Sequence, residues 1–410
     1  MVNRSKRFAR LIVLFTLFTA VSFLIGCQTH SQVPTFSQIT YTPTTEAAKN
    51  ITALNNLLPV YEAAAAHPWK TIPSGSKLKL GAKNKNVVLL RERLRATNEL
   101  VAANDSGTPV FDNPLDDAVK LFQRTHGLKA DGYVGRETLR ELNVSPDVRL
   151  SQIKVNLQRW EALSHRLGSR YIMVNIPDYR LNVVENGKTV LTMKAIVGNT
   201  THQTPELQSV VTRVVLNPYW NVPKKIAKND IVPKVIADPD YLNDERIKIF
   251  ESQEPDARRI DPSEINWQSA AENGFQYHFR QEPGLGNALG LVKFEFDNSE
   301  DVYLHDTPAK TLFDQDKRAF SHGCIRLEKP FELAQYLMQN NSNWTDDRVK
   351  EILETGKTRY IKAAKPTDIV ITYITASVDE YGLVEFRDDL YGRDAAPEEN
   401  KITDDDTLEE

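Results

Sequence analysis

Cysteine is almost missing from this chain. Only Cys27 and Cys324 occur in 410 residues, and two sulfurs so far apart exclude a disulfide-rich scaffold or a structural zinc cluster, which need several at short spacing. Basic excess is missing too. The formal net charge is −4, with +4 over residues 1–26 (Arg4, Lys6, Arg7, Arg10) and ten acids against Arg393 and Lys401 over residues 388–410. The body between is neutral and lacks the basic stripe of a nucleic-acid binder, so no nucleic-acid partner is expected. The eight histidines are scattered, and no H-E-x-x-H or C-x-x-C pattern occurs, so neither metal nor cofactor is expected. Gly284-Leu285-Gly286 does not follow a strand and open a helix, which rules out a dinucleotide loop. What is present, 40% hydrophobic and 26% charged residues, supports a packed core. The length suggests two or three domains at roughly 100 to 200 residues each.

The longest apolar run is Leu11–Ile25, LIVLFTLFTAVSFLI, ending at Gly26-Cys27. It is short for a membrane-spanning helix and suits the apolar region of a secretory signal. Leu24-Ile25-Gly26-Cys27 resembles the bacterial lipobox, in which the leader is cut before a cysteine that receives lipid. Residues 1–26 are therefore expected to be a lipoprotein signal peptide. Cys27 is the expected lipidation site, and the Thr-, Ser-, Gln- and Pro-rich residues 27–50 are an expected flexible tether. The expected location is the periplasmic face of a Gram-negative envelope, lipid-anchored at the outer membrane. At the other end, residues 389–410 read as an acidic disordered tail.

Residues 51–146 read as a helical domain. Val87, Leu90 and Leu94 recur at i, i+3, i+7, and Ala118, Leu121 and Phe122 at i, i+3, i+4, giving each stretch one apolar face. Gly127 stands where a helix C-cap glycine belongs, Asp131-Gly132 makes a turn, and Gly135–Leu142 is a third short helix. From about Arg170 the period changes to that of strands, with an Asn186-Gly187 hairpin signal, so residues 147–388 form a mainly β domain. Between Trp220 and Phe279 the pattern turns helical and irregular, with Pro223, Pro233, Pro239 and Pro262, and residues 221–279 are an expected lid insertion. The fold class is α+β multidomain.

The chemistry concentrates in Tyr303-Leu304-His305-Asp306-Thr307-Pro308 and Ser321-His322-Gly323-Cys324-Ile325-Arg326-Leu327. A cysteine nucleophile needs a base to form thiolate, and imidazole titrates in the right range. His305, ending a strand, is favoured as that base over His322, which is expected to orient the loop by hydrogen bonds. Gly323 frees backbone N–H groups, including that of Cys324, to meet an oxyanion. Arg326 lowers a thiol pKa or holds a substrate carboxylate. Tyr303 shares a strand face with His305 and offers a hydroxyl to oxyanion or substrate.

These residues carry a resemblance. Leu121-Phe122-Gln123 through Gly127-Leu128, with Asp131-Gly132-x-x-Gly135-x-x-Thr138-Leu139, resembles the peptidoglycan-binding helical domain of many cell-wall enzymes. His305 followed by Ser321-His322-Gly323-Cys324-x-Arg326 resembles the YkuD-type L,D-transpeptidases. Asn217-Pro218-x-Trp220-x-Val222-Pro223 and Pro283-Gly284-x-x-Asn287-Ala288-Leu289-Gly290 resemble their YcbB-like subgroup. Asp306 stands where the simplest family motif has glycine, and the chain is shorter than is common in the subgroup. The resemblance implies a β-sandwich-like catalytic domain with Cys324 as nucleophile, His305 as base, and Tyr303, Ser321, His322, Gly323 and Arg326 in support. It implies 3→3 cross-linking of peptidoglycan stem peptides through a thioester, acylation by carbapenems, and a penicillin-binding protein or other wall-synthesis enzyme as partner class. Hydrolysis on the same scaffold, transfer to an outer-membrane protein lysine, and a non-catalytic wall-binding lipoprotein are the competing readings.

Overall fold

The computed structural model describes residues 45–394 apart from 255 and 343. The expected signal peptide, Cys27, most of the expected tether and the residues from 395 on lie outside the described residues. Helix α1 (Thr45–Ala65) already begins at residue 45, inside the stretch expected to be tether. Among the described residues, no helix is long and apolar enough to cross a membrane.

The helical domain is built on α2 (Lys85–Ala96), α3 (Asn113–Thr125) and α4 (Arg136–Leu142). Asn84 caps α2 by accepting from the Asn86 N–H, and Asp112 caps α3 by accepting from the Leu115 N–H, with a proline in the first turn of α3. Val87, Leu90, Leu94, Ala118 and Phe122 meet in one cluster with Phe111, Leu115 and Val119, as their spacing predicts, whereas Leu121, expected on the same face, is only partly buried and lies outside that cluster. Gly127 (φ 67°) ends α3, where Leu128 N donates back to Gln123 O at 2.8 Å. The outer helices go elsewhere. α1 pairs with α5 (Pro146–Ser164), capped by Ser145, and both pack through Leu54, Tyr61, Ile153 and Trp160 onto Tyr171, Met173 and Val370 of the β domain. The expected division at residue 146 therefore runs between two helices whose packing belongs to the β domain.

That domain is one nine-stranded sheet. Its strands are β1 (Arg170–Asn175), β2 (Arg180–Glu185), β3 (Lys188–Gly198), β4 (Leu207–Leu216), β9 (Val292–Phe296), β10 (Leu304–His305), β11 (Ala319–Ser321), β12 (Ile325–Leu327) and β13 (Arg359–Thr372). The order is β11-β3-β12-β10-β9-β4-β13-β1-β2, and β2 also pairs with β3, so the sheet closes on itself. Period-two alternation then has a defined inside. Ile172, Val174, Leu181, Val183, Val214, Phe294, Leu304, Ile325 and Ile371 fill the enclosed core with helix Pro330–Leu337, while Tyr171, Met173 and Val370 face α1 and α5. The two walls expected of a sandwich are opposed parts of this single closed sheet.

The expected insertion is a separate small unit. Its strands β5 (Trp220–Asn221), β6 (Ile247–Phe250), β7 (Arg259–Ile260) and β8 (His278–Gln281) pair in the order β5-β8-β6-β7. With the helical run 224–237 they enclose a core of Val222, Ile231, Val232, Leu242, Ile249 and Phe279. After the hairpin of β14 (Ala376–Val378) and β15 (Val384–Phe386) the chain stays ordered. Residues 389–394, expected to belong to the acidic tail, are tied down instead: Asp389 accepts from Tyr373 Oη at 2.7 Å, and Asp394 pairs with Arg159 at 2.6 Å. Acidic composition suggested solvent, but these acids meet partners.

Candidate active site

The register of three short strands assembles the site. β10 pairs with β12 in parallel, Leu304 opposite Ile325 and His305 opposite Arg326, and with β9 antiparallel, His305 opposite Lys293. Leu304, Ile325 and Phe294 point into the enclosed core. Alternation therefore turns Tyr303, His305, Cys324, Arg326 and Lys293 to the opposite face. Sequence reading anticipated four of these five. Lys293 was missed, although the alternating Val-Lys-Phe-Glu-Phe of β9 carries the signal.

His305 is 4% exposed. Its Nδ1 lies 2.5 Å from the Asp306 carbonyl oxygen. A carbonyl only accepts, so Nδ1 carries the proton and Nε2 is left as a free base. Burial, then Arg326, depress its pKa to about 3, with Lys293 adding to them and the Asp306 bond opposing them. The ring is neutral across the physiological range.

Cys324 is half-buried, and burial pushes its thiol pKa up against the opposing pull of Tyr303, Lys293 and Arg326. The Tyr303 hydroxyl stands beside the sulfur and the Trp220 indole, and the thiol points to the Asp301 carbonyl oxygen at 3.9 Å. Lys293 Nζ sits 4.3 Å from the Tyr303 ring centroid and 3.0 Å from Glu295. Thiol and imidazole are therefore both neutral at rest.

The turn carrying Cys324 is pinned at several points. Ser321 Oγ accepts from Gly323 N at 3.2 Å and donates to Cys324 O at 2.5 Å. Gly323 has φ 113°, a conformation closed to other residues at little cost. His322 turns the other way, its Nε2 3.4 Å from Asp230 of the inserted unit and its ring 4.5 Å from that of His202. Arg326, half-buried with its pKa lowered by burial, has no carboxylate partner in an ion pair among the described residues. Among those residues, no group of three or more His, Cys, Asp or Glu side chains is placed to hold a metal ion.

Residues 169–368 match the family described as the L,D-transpeptidase catalytic domain, YkuD, and residues 83–142 match the one described as "Putative peptidoglycan binding domain". The β domain belongs to the YkuD family. A curated relative from Haemophilus influenzae, named "Putative L,D-transpeptidase", is 32% identical over 280 residues, covering 67% of this chain. The match spans 55% of that relative's length. Solved structures similar to this chain include an L,D-transpeptidase from Stackebrandtia nassauensis, at 14% identity with a TM-score of 0.25, covering 72% of this chain and 95% of that one. The catalytic domain from E. faecium, acylated by ertapenem, is 13% identical with a TM-score of 0.22, covering 50% of this chain and 98% of that one.

Proposed function

We propose that the protein is a cell-wall L,D-transpeptidase that forms 3→3 cross-links through a cysteine thioester. The observation that carries this reading is the shared face of Cys324, Tyr303, His305 and Arg326, with His305 neutral and its Nδ1 tied to a carbonyl. His305 Nε2 takes the Cys324 proton as sulfur attacks the carbonyl of the bond between diaminopimelate and the terminal D-alanine of a tetrapeptide donor. The oxyanion develops against the Cys324 N–H and the Tyr303 hydroxyl. Its collapse breaks the C–N bond, and the imidazolium returns the proton to the departing D-alanine amine. An amine of a second stem peptide then attacks the thioester, His305 accepts its proton, and the thiol is restored. Arg326, unpaired and beside the sulfur, takes a donor carboxylate. The helical domain holds the enzyme on the wall.

A carbapenem enters the same step: sulfur opens the lactam, no fragment departs, and the protein gains the whole inhibitor mass. The reading extends to the envelope. Cys27 carries lipid and tethers the catalytic domain at the periplasmic face of the outer membrane, which metabolic labelling with palmitate and its loss in Cys27→Ala tests.

The deciding experiment is digestion of purified disaccharide-tetrapeptides followed by mass analysis. Cross-linked dimers are expected. Trimmed monomers alone make the protein a hydrolase, and unchanged substrate makes the β domain inert.

A further inference from the structure

The peptide joining Gly323 to Cys324 is a single planar unit, so its C=O and N–H point in opposite directions. Whatever fixes the Gly323 carbonyl also aims the Cys324 N–H, which has no acceptor among the described residues. The carbonyl is fixed by Thr204, whose Oγ1 donates to it at 2.8 Å. Thr204 is fully buried and is held in turn. Its Oγ1 accepts from Gly198 N at 2.8 Å, and its own N–H donates to Tyr391 Oη at 3.1 Å. Tyr391 Oη donates to the Gly198 carbonyl at 2.7 Å. A Cβ on Gly198 would stand 2.1 Å from the His202 carbonyl, so this close approach requires glycine.

Tyr391 belongs to the segment 388–394, and that segment is anchored on three sides. Tyr373 accepts from Tyr391 N at 2.6 Å and donates to Asp389 at 2.7 Å. Arg159 of α5 pairs with Asp394 and donates to the Arg393 carbonyl at 2.7 Å. Asp388 binds Lys317 at 2.7 Å and Arg140 of α4 at 3.0 Å. Arg393 also donates to Gln203 at 2.7 Å, beside Thr204.

We infer that residues 388–394 are a strap that aims the oxyanion-binding peptide, with Tyr391 and Thr204 as positioning residues for acyl transfer. The inference rests on the acyl-transfer reading of Cys324 but not on the identity of its substrate. A displaced donor costs rate steeply: removing one oxyanion donor costs roughly 10²–10³-fold, and an ångström of misplacement can cost about 10²-fold.

The test uses two probes of one thiol in the full chain. p-Nitrophenyl acetate acylates Cys324 through a tetrahedral oxyanion, and iodoacetamide alkylates it without one. Tyr391→Phe and Thr204→Val are expected to slow acylation roughly ten- to a hundredfold and leave the rate and pH profile of alkylation within about twofold. Thr204→Ser, which keeps the hydroxyl, restores acylation, and the double variant Tyr391→Phe with Thr204→Val falls no further than Thr204→Val alone. Unchanged acylation overturns the strap, as does an equal loss with both probes, which marks general damage. Should Tyr391→Phe fail to fold, the Thr204 pair reads the same carbonyl. Failure of the transpeptidase reading looks different: wild-type protein then acylates with p-nitrophenyl acetate but yields no muropeptide dimers.

Discussion

Two kinds of structure hold the nucleophile turn, and they do different work. Beneath it, β10 and β12 set register, which decides that Tyr303, His305, Cys324 and Arg326 share a face. Beside it, side chains from 198–204 and 388–394 set the direction of one peptide. On the proposed acyl-transfer reading, register gathers the reacting groups, whereas the lateral bonds aim a donor at charge that exists only during reaction. The first contribution should therefore fail in an all-or-none way and the second by degrees.

The sharpest break is on the strand side. Cys324→Ala removes the attacking atom and should abolish dimer formation, at least about 10⁴-fold, with an unchanged circular dichroism spectrum. His305→Ala should cost roughly 10²–10⁴-fold. His322→Ala, which loses only the contact with Asp230 and His202, should cost less than about tenfold on the same scale. A larger loss at His322 than at His305 would exchange their roles.

The lateral side predicts the intermediate losses already given for Thr204 and Tyr391. Smaller again is the effect of Lys293, which supports Tyr303 and lies in register with His305. Lys293→Met should slow iodoacetamide alkylation at pH 8 by about three- to tenfold, one pKa unit being tenfold in thiolate, and shift the alkaline limb of the profile upward. Lys293→Arg should restore most of it. An unshifted limb in Lys293→Met would leave this lysine without electrostatic influence on the thiol.

The smallest effect is on stability. His305 has a folded pKa of about 3 against an ordinary 6.5, so the unfolded chain takes its proton first on acidification. Its contribution is complete above pH 6.5 and is lost as pH falls toward 3, about 2 kcal/mol of it by pH 5 at 1.36 kcal/mol per unit. Replacing it by Gln should flatten that part of the curve of melting temperature against pH. Equal acid slopes in the two proteins would mean that the ring is not held neutral.

The same contrast explains what could be read from the sequence. Val87, Leu90, Leu94 and Phe122 announced a helical core because burial there follows chain period. Tyr303 and His305 were placed on one face by alternation, and Cys324 stood out through scarcity. The insertion was visible as a change of pattern, though not its own sheet and core, which need pairings across some 60 residues between Trp220 and Gln281. Asp306 acts through its backbone carbonyl, which no side-chain reading reveals. Tyr391 was concealed by composition: Asp388, Asp389 and Asp394 look like solvated tail until Arg140, Lys317, Tyr373 and Arg159 arrive from distant parts of the chain.

The position of the strap in the chain gives the site an order of completion. Synthesis proceeds from the N-terminus, and β13, which joins β1 to β4 and completes the closed sheet, ends at Thr372. A growing chain can therefore hold its thiol, its imidazole and every strand of the sheet before Tyr391 exists. On the proposed reading the sulfur is present early and its capacity for acyl transfer comes last, from a handful of residues that also touch the helical domain through Arg140.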